Sequence, residues 1–306
     1  MEWSDSASYD GQWQLGYATG KGVFIDCLGN RYEGQFNLSM AHGTGTYTNT
    51  FGAIYDGEWK FDMQHGKGQE KWLNSGSTFK GHFVDGLRNG HGVWIHNNKK
   101  YEGIWKNNMM DGDGTMEWGY RPTSSVMSTS DGKSSKTAND FNRSVTSLEG
   151  GQPSVSNAVP SEDQGVYTGG WKQNKMHGFG VFKWATGRVY LGHWVADMKQ
   201  GVGKLTFKGG NEYSGLFLND KREGFGFYTW SDNRKFKGWW HENKQHGLGV
   251  YFGPDSVNPK FGVWQMGKRI KWLDETEQTL IRSGHLDYIN MYAPEHLPTD
   301  DKDRNF

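Results

Sequence analysis

Rings and charged residues alternate along most of this chain, and glycine punctuates the alternation. In Tyr55-Asp56-Gly57-Glu58-Trp59-Lys60 the two rings and the glycine share one parity, and the charged residues share the other. A period of two predicts a strand with one apolar and one polar face. Gly57 falls between two rings on the apolar parity, where a missing Cβ lets a ring lie flat on backbone. The run Phe61-Asp62-Met63-Gln64-His65-Gly66 predicts the reversal, with Gly66 and Gly68 supplying positive φ or close backbone approach. A second strand follows. Its apolar parity continues fifteen residues after the first ring, at Phe24, Tyr47, Trp94, Phe182, Tyr228 and Tyr251. Two residues further on it holds Trp72, Trp118, Trp184, Phe207 and Trp230.

The pattern aromatic-x-Gly-x-aromatic occurs nine times. In the first half it is Tyr9-Gly11-Trp13, Tyr32-Gly34-Phe36, Tyr55-Gly57-Trp59, Phe79-Gly81-Phe83 and Tyr101-Gly103-Trp105. In the second half it is Tyr167-Gly169-Trp171, Tyr190-Gly192-Trp194, Tyr213-Gly215-Phe217 and Phe236-Gly238-Trp240. Each copy is followed by G-x-G, and the starts are spaced by 23, 23, 24, 22, 66, 23, 23 and 23 residues. A fixed period in the twenties marks a repeat architecture. Gly29-Asn30, Ser75-Gly76, Asn97-Asn98, Thr186-Gly187, Gly209-Gly210 and Asp232-Asn233 are turn sequences between copies. Each copy is therefore a β-hairpin, and a lone hairpin cannot bury its face. The predicted fold is all-β: an elongated, twisted, single antiparallel sheet of consecutive hairpins, about 19 to 21 strands, with a short C-terminal helix.

Four segments follow. Residues 1–118 hold a half-repeat strand at residues 1–4, marked by Trp3, and repeats 1–5. Residues 119–164 interrupt the array. Between 120 and 164 lie 15 Ser/Thr and only two aromatics, a composition that cannot offset ordering entropy and predicts disorder. Ser124, Ser125, Ser144 and Ser147 lie near Arg121 or Arg143, as basophilic kinase sites do, although a passive insertion is the simpler reading. Residues 165–272 hold repeats 6–9 and a degenerate tenth, Lys260-Phe261-Gly262-Val263-Trp264, finishing near Trp272. Residues 273–306 form a helical cap and an acidic tail. Asp274-Glu275-Thr276-Glu277 starts a helix to about Arg282, Gly284 stops it, and the helix is expected to cap the open sheet edge. A second apolar piece, Leu286 to Tyr292, reads as part of that cap or as a docking peptide.

The net charge of zero hides an asymmetry. Residues 1–118 carry 10 Lys/Arg and 14 Asp/Glu, whereas residues 165–272 carry 17 and 7. Such a difference speaks of partners and not of fold. With polar faces and turns holding the charges, Lys221, Arg222, Arg234, Lys235 and Lys237 form a candidate patch for an anionic partner. The single cysteine, Cys27, excludes an internal disulfide and fits a reducing compartment. The acidic start, Met1 to Asp5, predicts no secretory leader, and no stretch approaches the length of a membrane span.

Tyr55-Asp-Gly57-Glu-Trp59 with His65-Gly66-Lys-Gly68, and Tyr167-Thr-Gly169-Gly-Trp171 with His177-Gly178-Phe-Gly180, resemble the Y-x-G-x-W-x5-H-G-x-G pattern of MORN (membrane occupation and recognition nexus) repeats. The resemblance covers about 220 residues, from repetition at the observed period. It departs at Phe36, Phe83 and Phe217, and at Thr19, Asn89, Asp111, Gln200 and Glu223, where the histidine is lost. It implies a scaffold like those of cilia, radial spokes and cytoskeletal collars.

Catalytic chemistry is not apparent. His42, His65, His177 and His246 share one repeat position, but adjacent repeats lie roughly 10 Å apart, too far for two imidazoles to share a zinc ion. They read as turn histidines bonded to backbone. Gly16 to Gly22 looks like a phosphate loop, yet it is one residue short and has Gly22 where Ser or Thr must bind magnesium. No catalytic residue, cofactor or metal is expected. The leading reading is a non-catalytic scaffold or assembly protein of a cilium, axoneme or other cytoskeletal structure in the cytoplasm, binding other proteins through its sheet edges and aromatic grooves. The alternative is a peripheral adaptor that binds anionic phospholipid, such as phosphoinositides, through the basic second array. Nucleic acid is not an implied partner.

Overall fold

The computed structural model describes residues 1–121, 164–255 and 258–284. They form one open antiparallel sheet of twenty strands and one helix. The first array comprises β1 (Ser8–Gln14), β2 (Tyr17–Ile25), β3 (Arg31–Asn37), β4 (Met40–Thr48), β5 (Ala53–Lys60), β6 (Met63–Trp72), β7 (Ser77–Val84), β8 (Leu87–His96), β9 (Lys99–Lys106) and β10 (Met109–Trp118). The second comprises β11 (Gly165–Lys172), β12 (Lys175–Trp184), β13 (Val189–Val195), β14 (Met198–Thr206), β15 (Glu212–Leu218), β16 (Lys221–Thr229), β17 (Lys235–His241), β18 (Lys244–Phe252), β19 (Lys260–Gln265) and β20 (Lys268–Trp272). Every strand pairs with its sequence neighbours, so the sheet is a continuous meander. Across the insertion, β10 and β11 pair Gly114 with Gly169, the same glycine-to-glycine register that joins β6 to β7 at Gly68 and Gly81. The sheet thus runs through position 118–165 as through any other repeat boundary. Most of the insertion, its four candidate phosphorylation serines, Leu286–Tyr292 and the acidic tail lie outside the described residues.

The ring-and-glycine logic holds at atomic detail. In β5 and β6 the Tyr55 ring lies over the paired Gly57 and Gly68. A Cβ on Gly57 would stand 2.5 Å from the Gly68 Cα, and one on Gly68 would stand 2.5 Å from the Tyr55 ring carbons. Only glycine admits the ring here. The Tyr55 hydroxyl then donates to the carbonyl of Glu58 at 2.9 Å, and Tyr9, Tyr32, Tyr101, Tyr167, Tyr190 and Tyr213 repeat that bond three residues on. Each starting ring also meets two others edge to face. Tyr55 touches Trp59 of its own strand and Phe83 of the next repeat, at 5.1 and 5.0 Å. The same two contacts recur from Tyr9 to Phe236, including Tyr101 to Trp171 across the insertion and Phe236 to Trp264 in the degenerate hairpin. Edge-to-face pairs contribute about 0.5–1.5 kcal/mol each beyond their buried area. This ladder is the core, and at its centre Tyr101 is 0% exposed.

The reversal differs from the sequence expectation. It occupies Phe61-Asp62 alone, not Phe61 to Gly66. Both residues have positive φ, 51° and 63°, as a two-residue type I′ turn demands. Leu38-Ser39, Gln173-Asn174 and Glu242-Asn243 do the same without any glycine. Such conformations cost energy in non-glycine residues. They are held by the neighbouring repeat: Asp62 donates its N–H to the Ala41 carbonyl at 3.1 Å, and its Oδ1 accepts the Ala41 N–H at 2.7 Å. Met63 to Gly66 therefore belong to β6. Gly66, with φ 63°, marks a bulge where the register to β5 shifts between Gly57 and Glu58.

At the ends, Glu2 makes a single bridge to Ser8, so residues 1–4 form a bridge and not the full half-repeat strand expected. The tenth hairpin is present, with Trp272 opposite Gly262 where the other repeats place glycine. Helix α1 (Glu275–Arg282) starts where its sequence predicts, and Asp274 and Glu277 close a capping box there. Its side chains reach the last hairpin through Glu277 to Lys271 at 2.5 Å and Arg282 over Phe261 at 5.1 Å.

Candidate binding surfaces

A single-layer sheet offers two faces. On the ring face, the position nine residues after each starting aromatic stands opposite the second aromatic of the same repeat, as Gln64 does to Trp59. This position holds Ala18, Ala41, Gln64, Arg88, Met110, Met176, Lys199, Arg222 and Gln245 in order. Its occupant decides how far the rings are covered. Arg88 lies over Trp72, Phe79 and Trp105 at 5.0, 4.7 and 5.4 Å and pairs with Glu70 at 2.9 Å. Lys199 lies over Trp184, Tyr190 and Trp194 and pairs with Asp220 at 2.6 Å. Arg222 lies over Tyr213, Tyr228 and Trp240, where burial lowers its pKa. Where the position is alanine, the ring face opens into a cavity of about 640 Å³. Trp3, Trp13, Tyr47 and Trp59 line it, with Asp62 and Gln64 at one side. Burial, with Asp62 nearby, pushes the Tyr32 hydroxyl pKa up to about 12.

The second face differs between the arrays. In the first it carries polar and charged side chains, such as Thr46 bonded to Asp56 and the Lys100–Glu102 pair. In the second it carries Phe179, Val202 and Phe227, 56%, 46% and 46% exposed, around a shallow groove of about 440 Å³. Lys237 lies over Phe225 and Phe227 on this face. The polar face expected of both arrays thus carries an apolar groove in one, set among lysines.

Comparison with known protein families matches the MORN repeat at residues 9–31, 32–50, 55–77, 79–99, 101–119, 167–187, 190–212, 213–233 and 236–256. The chain belongs to the MORN-repeat family. MORN repeats are modules of protein- and membrane-interaction scaffolds. No curated protein matches the chain. Among solved structures, it is similar to the TCP domain of Drosophila melanogaster SAS-4 (dCPAP) in complex with a proline-rich motif of Ana2 (dSTIL). That similarity has 10% identity, 65% of this chain and 84% of that one covered, and a TM-score of 0.33. It is also similar to the TCP10c domain of Drosophila melanogaster Sas-4, at 10% identity, 72% and 99% coverage and a TM-score of 0.30. No described helix is long and apolar enough to cross a membrane.

The MORN array scatters the candidate basic patch. Arg222 belongs to the ring face, contrary to the expectation that rings exclude charge from it. Lys221 pairs with Glu242 at 2.6 Å, and Arg234 pairs with Asp232 at 2.7 Å and lies over Trp230. Lys237 stands on the second face, and Lys235 shares its parity in β17. The MORN histidines are not in turns: His42, His65, His177 and His246 lie within β4, β6, β12 and β18, beside the bulge glycine. His246 Nδ1 accepts the Met266 N–H at 3.4 Å, and His65 Nδ1 stands 3.5 Å from Asp85. Position nine was missed as a functional position. Its signal was present, since it shares parity with the rings and alternates among alanine, glutamine, methionine and cations.

Proposed function

We propose that this MORN-repeat chain is a non-catalytic scaffold that holds protein partners in a cytoskeletal or ciliary assembly. The observation that carries the reading is the open ring-face cavity of the first two repeats, an apolar recess bounded by tryptophan and tyrosine on a rigid ladder. Concave apolar sites with few placed polar groups are where ligands and peptide segments bind. Membrane recruitment by the basic array is less well supported, because its five leading cations divide between two faces and several local ion pairs. The test is proximity labelling by the full chain in its native cell, with an Ala18→Arg/Ala41→Arg double variant as control. Cytoskeletal or axonemal neighbours that disappear in the variant are expected. Neighbours confined to membrane proteins and unchanged in the variant would overturn the reading. Flotation with phosphatidylserine vesicles at low and high salt tests the lipid alternative directly.

A further inference from the structure

Repeats two and eight form two copies of one cradle, and only one is filled. In repeat eight the cradle is Tyr213, Tyr228 and Trp240, and the Arg222 guanidinium lies 5.6, 5.4 and 4.5 Å from their centres. At the same offsets, repeat two has Tyr32, Tyr47 and Trp59, with Ala41 in place of the arginine. The empty cradle keeps two rings of the filled one in place and differs at the third: Tyr47 meets Trp59 at 6.3 Å and 66°, where Tyr228 meets Trp240 at 5.8 Å and 38°. Tyr32 and Trp59 meet at 5.1 Å and 81°, and Tyr213 and Trp240 at 5.2 Å and 79°. The backbone frame is also the same. Asp62 Oδ1 accepts the Ala41 N–H at 2.7 Å, and Asn243 Oδ1 accepts the Arg222 N–H at 2.8 Å.

One difference favours a cation more strongly in the empty copy: it has the carboxylate Asp62 where the filled copy has the amide of Asn243. Repeat seven shows what that carboxylate does. Asp220, the counterpart of Asp62, accepts both the Lys199 backbone N–H at 3.0 Å and the Lys199 Nζ at 2.6 Å, through the same oxygen. Asp62 makes the backbone bond, and no described cation makes the second. Ring faces attract cations electrostatically, arginine most often, and a carboxylate adds a charge-assisted bond.

We propose that the ring-face cavity of the first two repeats is a receptor for a basic side chain, an arginine presented by an extended, apolar segment of a partner protein. The guanidinium occupies the Tyr32–Tyr47–Trp59 cradle against Asp62. The flanking apolar residues of the partner lie along Trp13, Phe24 and Phe36. Two of the three rings already stand as in the filled copy, so binding has only Tyr47 to reorient. The inference deepens the scaffold reading and rests on it, but its test uses purified chain and fails independently of any cellular location.

The probe is a fluorescein-labelled nonapeptide of alternating leucine and glycine with one central arginine, titrated into the full chain and followed by anisotropy. A second peptide carries citrulline, which keeps the shape and loses the charge. The arginine peptide is expected to bind, and the citrulline peptide to bind at least tenfold more weakly. Ala41→Arg, which rebuilds the filled cradle of repeat eight, is expected to lower arginine-peptide affinity at least tenfold with an unchanged or raised Tm. Asp62→Asn keeps a side-chain acceptor for the Ala41 N–H, as Asn243 does, and is expected to cost about tenfold; it decides the matter if Ala41→Arg fails to fold. No binding by the wild-type chain, equal binding of the two peptides, or full binding by whichever variant folds would overturn the proposal.

Discussion

The two arrays share one backbone and one ladder of rings, yet they dress their faces differently. The first leaves its ring face open at Ala18 and Ala41 and keeps its second face mostly polar. The second covers its ring face at Lys199 and Arg222, as the first does at Arg88, but opens again at Gln245 into a cavity of about 410 Å³, and it exposes Phe179, Val202 and Phe227 on the other side. The repeat thus separates what is structural from what is free to vary. The glycine between each pair of rings and the second glycine of each G-x-G would meet a neighbour closer than van der Waals distance if given a Cβ, and the first glycine of each G-x-G is held by positive φ. Position nine carries no such steric requirement and holds alanine, glutamine, methionine, lysine or arginine from repeat to repeat, so its chemistry changes while the sheet persists.

The sharpest way to break this comparison is to attack what the arrays share. Gly57→Val and Gly215→Val each place a side chain against the facing glycine and a tyrosine hydroxyl. Each is expected to cost at least about 3 kcal/mol, at the top of the overpacking range because the clash is with backbone. Denaturant melts should show equal losses in both arrays; a near wild-type melt of either would refute the shared core.

Alkaline pH attacks the ladder as a whole. Burial raises Tyr32 and Tyr167 from 10.0 to about 12 and raises Tyr55, Tyr101, Tyr190 and Tyr213 as well. These folded values lie above the unfolded one. Their contribution is therefore complete below pH 10 and is lost as pH rises from 10 through 12. Circular dichroism should show cooperative unfolding in that window, and a chain still folded beyond it would contradict the burial of these hydroxyls.

The comparison is sharpened by exchanging the arrays' occupants. Arg222→Ala should empty the cradle of repeat eight, cost about 2 kcal/mol through lost cation–π contact and packing, and create a second, weaker site for the arginine peptide. An unchanged binding stoichiometry would show that Asp62, absent there, is indispensable and not merely helpful. Asp197→Ala removes the side-chain bond to the Met176 N–H, 2.8 Å, and should cost about 1 kcal/mol by thermal melting. Deleting residues 123–160 acts in the opposite direction. It shortens the connection about sixfold, so stability should be unchanged or rise by at most about 1.5 kcal/mol, checked by the same melts.

The strands, their pairing order, the ladder and the C-terminal helix were legible in the sequence, because period-two alternation and a fixed repeat over-determine them. The turns were less so. Phe61, Gln173 and Glu242 are not turn residues by preference; they take positive φ because the neighbouring repeat's backbone grips the turn. That tertiary cause leaves only a faint mark, the Ser, Asp or Asn at Ser39, Asp62, Asn108, Asn174, Asp197, Asp220 and Asn243. Reading Phe61 to Gly66 as the reversal placed Gln64, and with it Ala41 and Arg222, outside the sheet. The cradle was hidden by that displacement, although each of its rings had been identified.

The meander also has a consequence for how the chain assembles. Successive strands are joined by short connections, such as Leu73 to Gly76 between β6 and β7, so pairing can propagate like a zipper. At one junction, β10 to β11, residues 119–164 intervene. That connection is roughly tenfold longer, and closing it costs about 2 kcal/mol more in chain entropy. Each array is therefore expected to zip from its own nucleus, with the Tyr101–Trp171 contact forming where the two meet.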